Sequence, residues 1–341
     1  MNRASTALLA IVLLGLILPL MPSAQASGQS AIDRKLCLWD PVGRNGPVYN
    51  NAKSLKLESL NWGVNLHLEA YTDEQVASND FLTGHCDAVI TTELLARRFN
   101  KFTGSLGAVG ALRNMDQFQM VVDTLTQPKA QPLMRSGEYE VGGVFPIGSV
   151  FMYVDDRSIR KIEDFQGQKM AVLNADPIAT NMVRRVGGSA VNASLTTLSG
   201  LFNNGNVDII FAPAVAFETL ELYRGLKPDG GIINYPLLLT SLQLVIRHER
   251  FPENFGQKLR EFNAAHLDSM KKRVHDAEAS IPDEYWIEMD PEARQSNDLF
   301  LRESRIDLLD QGLYDPRALR LMKAIRCKQN PTAAECADSR E

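Results

Sequence analysis

The sequence predicts an α/β protein with two lobes, each built around a mainly parallel sheet with helices on its faces. Between Arg157 and Pro213, short apolar runs alternate with amphipathic segments of helical spacing. That alternation is typical of a parallel sheet whose strands are joined by right-handed helical crossovers. The same alternation occurs between Lys35 and Phe102, so the chain contains the pattern twice.

The first lobe is predicted to contain three strands, each followed by a helix. The predicted strands are Lys35–Trp39, Val64–Ala70 and Asp87–Ile90, and the predicted helices are Asn50–Asn61, Glu74–Leu82 and Leu94–Phe102. Because ligands bind beyond the carboxyl ends of parallel strands, the loops after these strands supply candidate ligand-binding residues. These candidates are Trp39, Asp40, Arg44, Asn45, Tyr71, Asp73, Thr91 and Thr92.

The second lobe follows the same scheme over a shorter length of chain. Its predicted strands are Lys169–Leu173, Ala190–Val191 and Val207–Phe211, and its predicted helices are Ile178–Val186 and Leu195–Phe202. The loops after its strands, Asn174–Pro177 and Ala212–Ala214, would face the loops of the first lobe. They add the candidates Asn174, Asp176 and Pro213, and Ser149 joins them from the strand that enters this lobe.

Two further strands are predicted to connect the lobes, which leaves a cleft between them. Val141–Asp155 would cross into the second lobe, with Pro146 and Gly148 near the crossing point, and Leu237–Arg247 would return. The helices predicted after the return strand are Phe255–Ala279, Pro291–Gln311 and Pro316–Cys327. We therefore expect the first lobe over 27–145, the second over 146–239, and a return strand and helical tail over 240–341 that pack on the first lobe. A docking face on the tail is the alternative.

The first 26 residues have the features of an export signal. Arg3 supplies the positive charge, Leu8–Leu20 is apolar but short for a membrane helix, and Ala24–Ala26 fits a cleavage site. The alternative is an uncleaved anchor. No cysteine follows directly, which argues against a lipoprotein, so a soluble exported protein is predicted.

Four cysteines in an exported chain suggest two disulfides, for which three pairings are possible. We favour Cys37–Cys86 and Cys327–Cys336. Cys37 lies in the first strand and Cys86 precedes the third, and these strands are neighbours if the strand order is 2-1-3. The alternative is that the thiols are free and buried.

Two motifs of the second lobe carry a family resemblance. Ser158–Val172 reads SIRKIEDFQGQKMAV, and Leu201–Ile210 reads LFNNGNVDII. Both resemble the second lobe of bacterial extracytoplasmic solute-binding proteins, the kind that serves TRAP-type transporters. Trp39–Pro47 and Lys227–Tyr235 resemble a subgroup of solute-binding proteins whose members are also described as associated with efflux pumps.

The resemblance extends from about Lys35 to the end of the sequence and implies a type II periplasmic binding protein fold with two hinge strands. It also implies a location in the periplasm, capture of a small solute between the lobes, and delivery to inner-membrane transporter subunits. The alternative function is that of a periplasmic accessory protein of an RND-type efflux system, which would use its outer surface. We expect a monomer.

The class of solute stays open between a small carboxylate and an amine-like cation. The family's carboxylate-binding arginine corresponds here to Ala171, so Arg44 or Arg97 would have to replace it. An amine would instead suit the carboxylates Asp40, Asp73 and Asp176 beside Trp39 and Tyr71. For Asp40 and Asp176 the alternative is a turn or helix-capping role, and for Trp39 it is core packing.

Other functional classes are not supported by the sequence. It contains no G-x-S-x-G or H-E-x-x-H motif and no zinc-binding cysteine spacing, so neither an enzyme, a cofactor nor a metal site is expected. Gly104, Gly107 and Gly110 are spaced G-x-x-G-x-x-G, which is not the dinucleotide fingerprint and indicates a packed loop. The formal net charge of -5 and the lack of a basic patch argue against nucleic acid as a partner.

Overall fold

The computed structural model describes residues 31–174, 176–226 and 228–341, and ten strands in this part of the chain form one mixed sheet. The predicted signal peptide, and Ala175 and Lys227 from two of the stretches discussed above, lie outside the described residues. The strands are β1 (Ile32–Trp39), β2 (Val64–Tyr71), β3 (Ala88–Thr92), β4 (Arg135–Ser136), β5 (Tyr139–Val154), β6 (Lys169–Leu173), β7 (Ser189–Ala193), β8 (Ile209–Pro213), β9 (Gly231–Arg247) and β10 (Trp286–Ile287).

Helices cover both faces of this sheet. In the described residues they are α1 (Pro47–Asn61), α2 (Glu74–Leu82), α3 (Glu93–Ala96), α4 (Met115–Thr126), α5 (Gln131–Met134), α6 (Pro177–Arg185), α7 (Leu198–Asn203), α8 (Ala216–Thr219), α9 (Phe255–Ala265), α10 (Leu267–Ala279), α11 (Pro291–Asp310) and α12 (Pro316–Gln329). Three of them, α6, α11 and α12, begin with an aspartate that accepts backbone N–H groups and a proline in the first turn. Both residues favour a helix start.

The sheet consists of two parallel clusters joined by two long strands. Its order is β2-β1-β3-β9-β5-β8-β6-β7, and the pairs within β2-β1-β3 and within β8-β6-β7 are parallel. Strands β5 and β9 are antiparallel to each other, β9 is antiparallel to β3 and β5 to β8, whereas the short β10 pairs with β9 in parallel. The register of β5 on β9 shifts between Pro146 and Gly148, where Gly148 has φ 137°, a value that favours glycine. The predicted crossing strands are confirmed.

The helix predicted for Leu94–Phe102 is wrong beyond its first turn, since α3 ends at Ala96. The side chain of Asn100 turns the chain here: its oxygen accepts the Thr103 N–H at 3.0 Å, and its amide donates to the Leu133 carbonyl at 3.0 Å. The turn buries the aromatic rings of Phe99 and Phe102.

Most other elements lie within three residues of their predicted bounds, and two differ more. The helix predicted for Phe255–Ala279 is interrupted at His266, whose ring packs against that of Phe262 in a tilted arrangement at a centroid distance of 4.1 Å. The ring nitrogen Nδ1 of His266 lies 2.8 Å from the Phe262 carbonyl oxygen, so the side chain competes for a helical acceptor. Strand β9 starts at Gly231 rather than Leu237, because its first residues pair with the end of β5 and with β10.

Both predicted disulfides are confirmed. Cys37 in β1 joins Cys86 just before β3, with 5.9 Å between the Cα atoms, and the predicted strand order 2-1-3 explains their proximity. Cys327 on α12 joins Cys336, with a Cα separation of 5.7 Å. In the part of the chain that the structure describes, no helix is both long and apolar enough to span a membrane.

Helix α11 of the tail also contacts α6. Arg185 on α6 forms an ion pair with Asp307, and its guanidinium lies over the ring of Phe300. Asn181 donates a hydrogen bond to Gln311, just after α11, at 3.2 Å. The tail is therefore connected to the β8-β6-β7 cluster as well as to the rest of the sheet.

Candidate functional site

A cleft of about 1070 Å³ lies at the carboxyl ends of strands from both parallel clusters. From the first cluster, Trp39 at the end of β1 and Thr92 at the end of β3 line it. From the second, Leu173 and Pro213 at the ends of β6 and β8 do so. Strands β5 and β9 and helices α6, α10 and α11 complete its lining. Most of the lining side chains are apolar.

Four of the predicted ligand-binding residues line this cleft, namely Trp39, Thr92, Asp176 and Pro213. The structure places the other eight outside its lining: Asp40, Arg44, Asn45, Tyr71, Asp73, Thr91, Ser149 and Asn174. Arg44, Asn45 and Asn174 are exposed, and Ser149 is buried beside Glu278. Contact with a ligand stays a prediction for all twelve residues.

Asp40 is fully buried and has another role in the structure. Its carboxylate accepts the backbone N–H groups of Val42, Val48 and Tyr49 at 3.0, 2.8 and 3.0 Å, which fixes the start of α1. Gly46 leaves the room for it, because a Cβ there would lie 1.8 Å from the Asp40 Oδ1. The arrangement matches the turn and capping alternative for Asp40.

Tyr71, Asp73 and Thr91 also have partners within the protein. Asp73 caps α2 by accepting the N–H groups of Gln75 and Val76. The Tyr71 hydroxyl donates to Asp80 at 2.8 Å, and burial raises the pKa of the tyrosine. The Thr91 hydroxyl donates to the buried Glu74 at 2.6 Å. In this structure the three side chains are therefore hydrogen-bonded to groups of the protein itself.

Asp176 and Arg97 face the cleft from the two parallel clusters. Asp176 accepts the N–H groups of Ile178 and Ala179, both at 3.0 Å, as the cap of α6. Burial raises the pKa of Asp176, and the positive charge of Arg97 opposes that rise. Arg97 donates to the Gly104 carbonyl at 2.9 Å, and its guanidinium lies over the Tyr314 ring. Of the two arginines considered from the sequence, Arg97 lines the cleft and Arg44 does not.

Glu93 is a buried acid of the cleft that the sequence reasoning missed. Its Oε1 accepts the Thr240 hydroxyl at 2.8 Å, and its Oε2 accepts the hydroxyl of Ser241 at 3.1 Å and its backbone N–H. Gly107 packs directly against it, since a Cβ there would lie 2.7 Å from Oε1. Burial raises the pKa of Glu93 to about 7. Its position directly after Thr92, at the end of a strand, is the signal that could have identified it.

The described part of the chain offers no convincing metal site. The group of potential ligands that lie close enough together is Cys37, Glu69 and Cys86, and the two cysteines are bonded to each other. Two further basic residues line the cleft, His266 and the exposed Arg273, which donates to the Ser269 hydroxyl at 3.2 Å. The cleft therefore combines a few polar and charged side chains with a mainly apolar lining.

Residues 59–341 match the protein family described as Solute-binding protein AdeT 1/2. The chain belongs to this family. It is 41% identical over 301 residues to "Probable solute-binding protein AdeT1" of Acinetobacter baumannii, covering 88% of this chain and 99% of that protein. It is 28% identical over 237 residues to "Probable solute-binding protein AdeT2" of the same organism, covering 70% of this chain and all of the relative.

Solved structures of TRAP periplasmic solute-binding proteins share the fold. One from Desulfovibrio desulfuricans with bound sn-glycerol-3-phosphate has a TM-score of 0.71 at 18% identity, covering 89% of this chain and 99% of that one. One from Desulfovibrio salexigens with bound orotic acid has a TM-score of 0.68 at 13% identity, covering 86% and 97%. The predicted binding-protein fold and the predicted solute-binding class are confirmed, and the comparisons do not favour the efflux accessory alternative.

Proposed function

We propose that this family member is exported to the periplasm, captures a small organic solute in the cleft by closing its lobes, and delivers it to inner-membrane transporter subunits. The observation that carries the proposal is the cleft itself, which lies at strand ends of two parallel clusters that β5 and β9 connect. Rotation of the clusters about two strands would enclose a solute without breaking either core.

The proposed hinge lies at the middle of the three places where β5 changes register on β9, between Pro146 and Gly148. Pro146 is paired with Ser241 and Gly148 with Thr240, and Gly148 has a backbone conformation that favours glycine. This position supports lobe boundaries near 145/146 and 239/240. The ion pair between Arg185 and Asp307 would be one of the contacts that closure has to accommodate.

The solved neighbours hold small anions, among them orotic acid and sn-glycerol-3-phosphate. In this chain Ala171 lines the cleft at the position where TRAP-type proteins carry their arginine, and Arg97 supplies a guanidinium from the other cluster. The volume of about 1070 Å³ is at the upper end of the range for small-molecule sites, roughly 300 to 1,000 Å³.

A bulky side chain in the cleft should weaken binding strongly without unfolding the protein. Ala179 on α6 lines the cleft and is half-buried, so tryptophan at this position would occupy solute volume. We expect Ala179→Trp to weaken binding by about a hundredfold, or ~2.7 kcal/mol, while the melting temperature without ligand stays close to that of the wild type. Thermal shift followed by calorimetry would measure both.

Arg184→Trp is the matched control, because Arg184 lies on the same helix but is exposed and outside the cleft lining. The panel should contain orotate, glycerol-3-phosphate, glucuronate, octanoate, octanol and octylamine. A saturating ligand at about 100 times its dissociation constant should stabilise the wild type by ~2.7 kcal/mol. If none of these solutes stabilises the wild type, or if Ala179→Trp binds as the control does, solute capture in this cleft is wrong.

A further inference from the structure

Glu93 differs from the other charged groups of the cleft because it is buried and its carboxylate forms no ion pair with a described Lys, Arg or His. We propose that the cleft selects an organic cation with an apolar body, whose ammonium group is bound by Glu93. The proposal rests on the function proposed above and names the class of solute. It follows from the charges, the hydrogen-bonding capacity and the apolar lining of the cleft.

The charges of the cleft are compensated unequally. The positive charge of Arg97 acts on the carboxylate of Asp176, which also accepts two backbone N–H groups. Arg273 is exposed, so its charge is compensated by solvent. Glu93 is 6% exposed, and the described residues hold it with hydroxyl and amide donors but with no Lys, Arg or His. A buried carboxylate without a positive partner is costly, so a cation that reaches it gains more than an anion would.

Glu93 also has capacity for another hydrogen bond. A carboxylate offers about four acceptor sites, and three donors from Thr240 and Ser241 occupy Glu93. The neighbouring Thr92 lines the same cleft, and its hydroxyl, which lies beside the buried Glu74, still has lone pairs that can accept a hydrogen bond. A primary ammonium group carries three N–H donors, which suits these two acceptors together.

The rest of the cleft is suited to an apolar body. The side chains that line it from β5, β6, α6 and α10 are largely aliphatic or aromatic, and they include Phe145, Ile147, Val150, Ala171, Leu173, Ile178, Met182 and Met270. Each CH₂ group buried here contributes about 0.8 kcal/mol. The lining therefore favours solutes with an alkyl or aromatic body over sugar acids, whose hydroxyl groups would lose hydrogen bonds to water.

Three probes with the same alkyl chain and different head groups test the proposal, namely octylamine, octanol and octanoate. Calorimetry on the wild type should show octylamine bound at least about tenfold more tightly than octanol, and octanoate more weakly than octanol. In Glu93→Gln the preference for octylamine over octanol should disappear, because glutamine keeps the side-chain shape and removes the charge. Octanol binding should change by less than about threefold, since no charge faces the hydroxyl.

The matched control is Glu249→Gln, which removes an exposed carboxylate outside the cleft and should leave all three affinities unchanged. If octanoate binds more tightly than octylamine, or if Glu93→Gln keeps the amine preference, the assignment to Glu93 is wrong while solute capture stands. If no probe or other solute of the panel binds, the proposed function itself fails. The melting temperature of Glu93→Gln shows whether the variant is folded.

The pH dependence of octylamine binding is a second, independent test that Glu93 binds the ammonium group. Glu93 packs against β3, β9 and the segment around Gly107. The charged groups of these surroundings have other partners: Arg97, one turn later, donates to the Gly104 carbonyl, and the buried Glu74 accepts from Thr91 and Thr92. Tyr235 and Arg247 of β9 are paired with Asp298 and Glu138. Since the pKa of Glu93 is about 7, the affinity should rise about tenfold between about pH 6 and about pH 8, while the alkylammonium stays charged. Glu93→Gln should flatten this dependence, and a wild-type profile that is already flat would count against Glu93.

Discussion

Glu341→Ala should lower the free energy of unfolding by about 3 to 5 kcal/mol, because it removes one partner of a buried ion-pair network. The carboxylate of Glu341 accepts two hydrogen bonds from Arg305, at 2.8 and 2.9 Å, and one from Arg326 at 3.0 Å. The side chains of Glu341 and Arg305 are each only 2% exposed. Removal of the acid would leave buried guanidinium groups with less of their compensating charge.

Urea denaturation would measure this loss as a lower midpoint at an unchanged slope. Glu249→Ala, which removes an exposed glutamate, is the control and should change the stability by less than about 0.5 kcal/mol. In a double-mutant cycle with Arg305→Met, the pair should show a coupling of about 1 to 3 kcal/mol. Additive effects would mean that Arg305 and Glu341 do not depend on each other.

The same contribution should depend on pH in a defined direction. The guanidinium groups of Arg305 and Arg326 hold the pKa of Glu341 below its usual value, against the effect of burial. A carboxyl with a lowered pKa stabilises the folded state fully above its unfolded pKa of about 4.3, and this stabilisation is lost as the pH falls through the folded value. The difference between wild type and Glu341→Ala should therefore shrink below about pH 4.

Replacing Cys37 and Cys86 together by alanine should destabilise the protein by up to about 4 kcal/mol. The disulfide closes a segment of 49 residues, and the chain-entropy estimate for that length is about 4 kcal/mol. The Cys327–Cys336 bridge spans 9 residues, for which the estimate is about 2.6 kcal/mol. Denaturation of the two double variants should rank them in this order.

Reductant should distinguish the two bridges in the folded protein. Cys37 and Cys86 are fully buried, whereas Cys327 and Cys336 are partly exposed. A mild thiol should therefore open Cys327–Cys336 first, and mass spectrometry after alkylation would identify the released cysteines. Equal rates of reduction, or an equal loss of stability in the two double variants, would contradict this account.

The fold was largely predictable because its information is local. Alternating strands and helices specify the two parallel clusters, and the order 2-1-3 follows from crossover topology, which also places Cys37 beside Cys86. The early end of α3 was not predictable, since it depends on a hydrogen bond from Asn100 to Leu133, far along the chain. The first residues of β9 could not be predicted as strand for a similar reason, because their partners in β5 and β10 are distant in sequence.

The candidate site was predictable only in part. Topology alone places Trp39, Thr92 and Pro213 at the strand ends of the cleft. It does not show whether a polar side chain there satisfies its own backbone, as Asp40 and Asp73 do, or faces the cavity. The position of Glu93 at the end of β3 makes it a candidate, but its hydrogen-bond partners Thr240 and Ser241 lie almost 150 residues later and are not indicated by any local pattern.

The contacts of Arg305 and Arg326 also bear on when the cleft can form during folding. They donate to the carbonyls of Val109 and Ala111, contacts that span 196 and 215 residues of sequence, and Val109 lines the cleft. Contacts between such distant segments form slowly, because the intervening chain must first be ordered. A newly made chain should thus complete its binding site late, and it should remain unable to hold solute until the segment around Glu341 has docked.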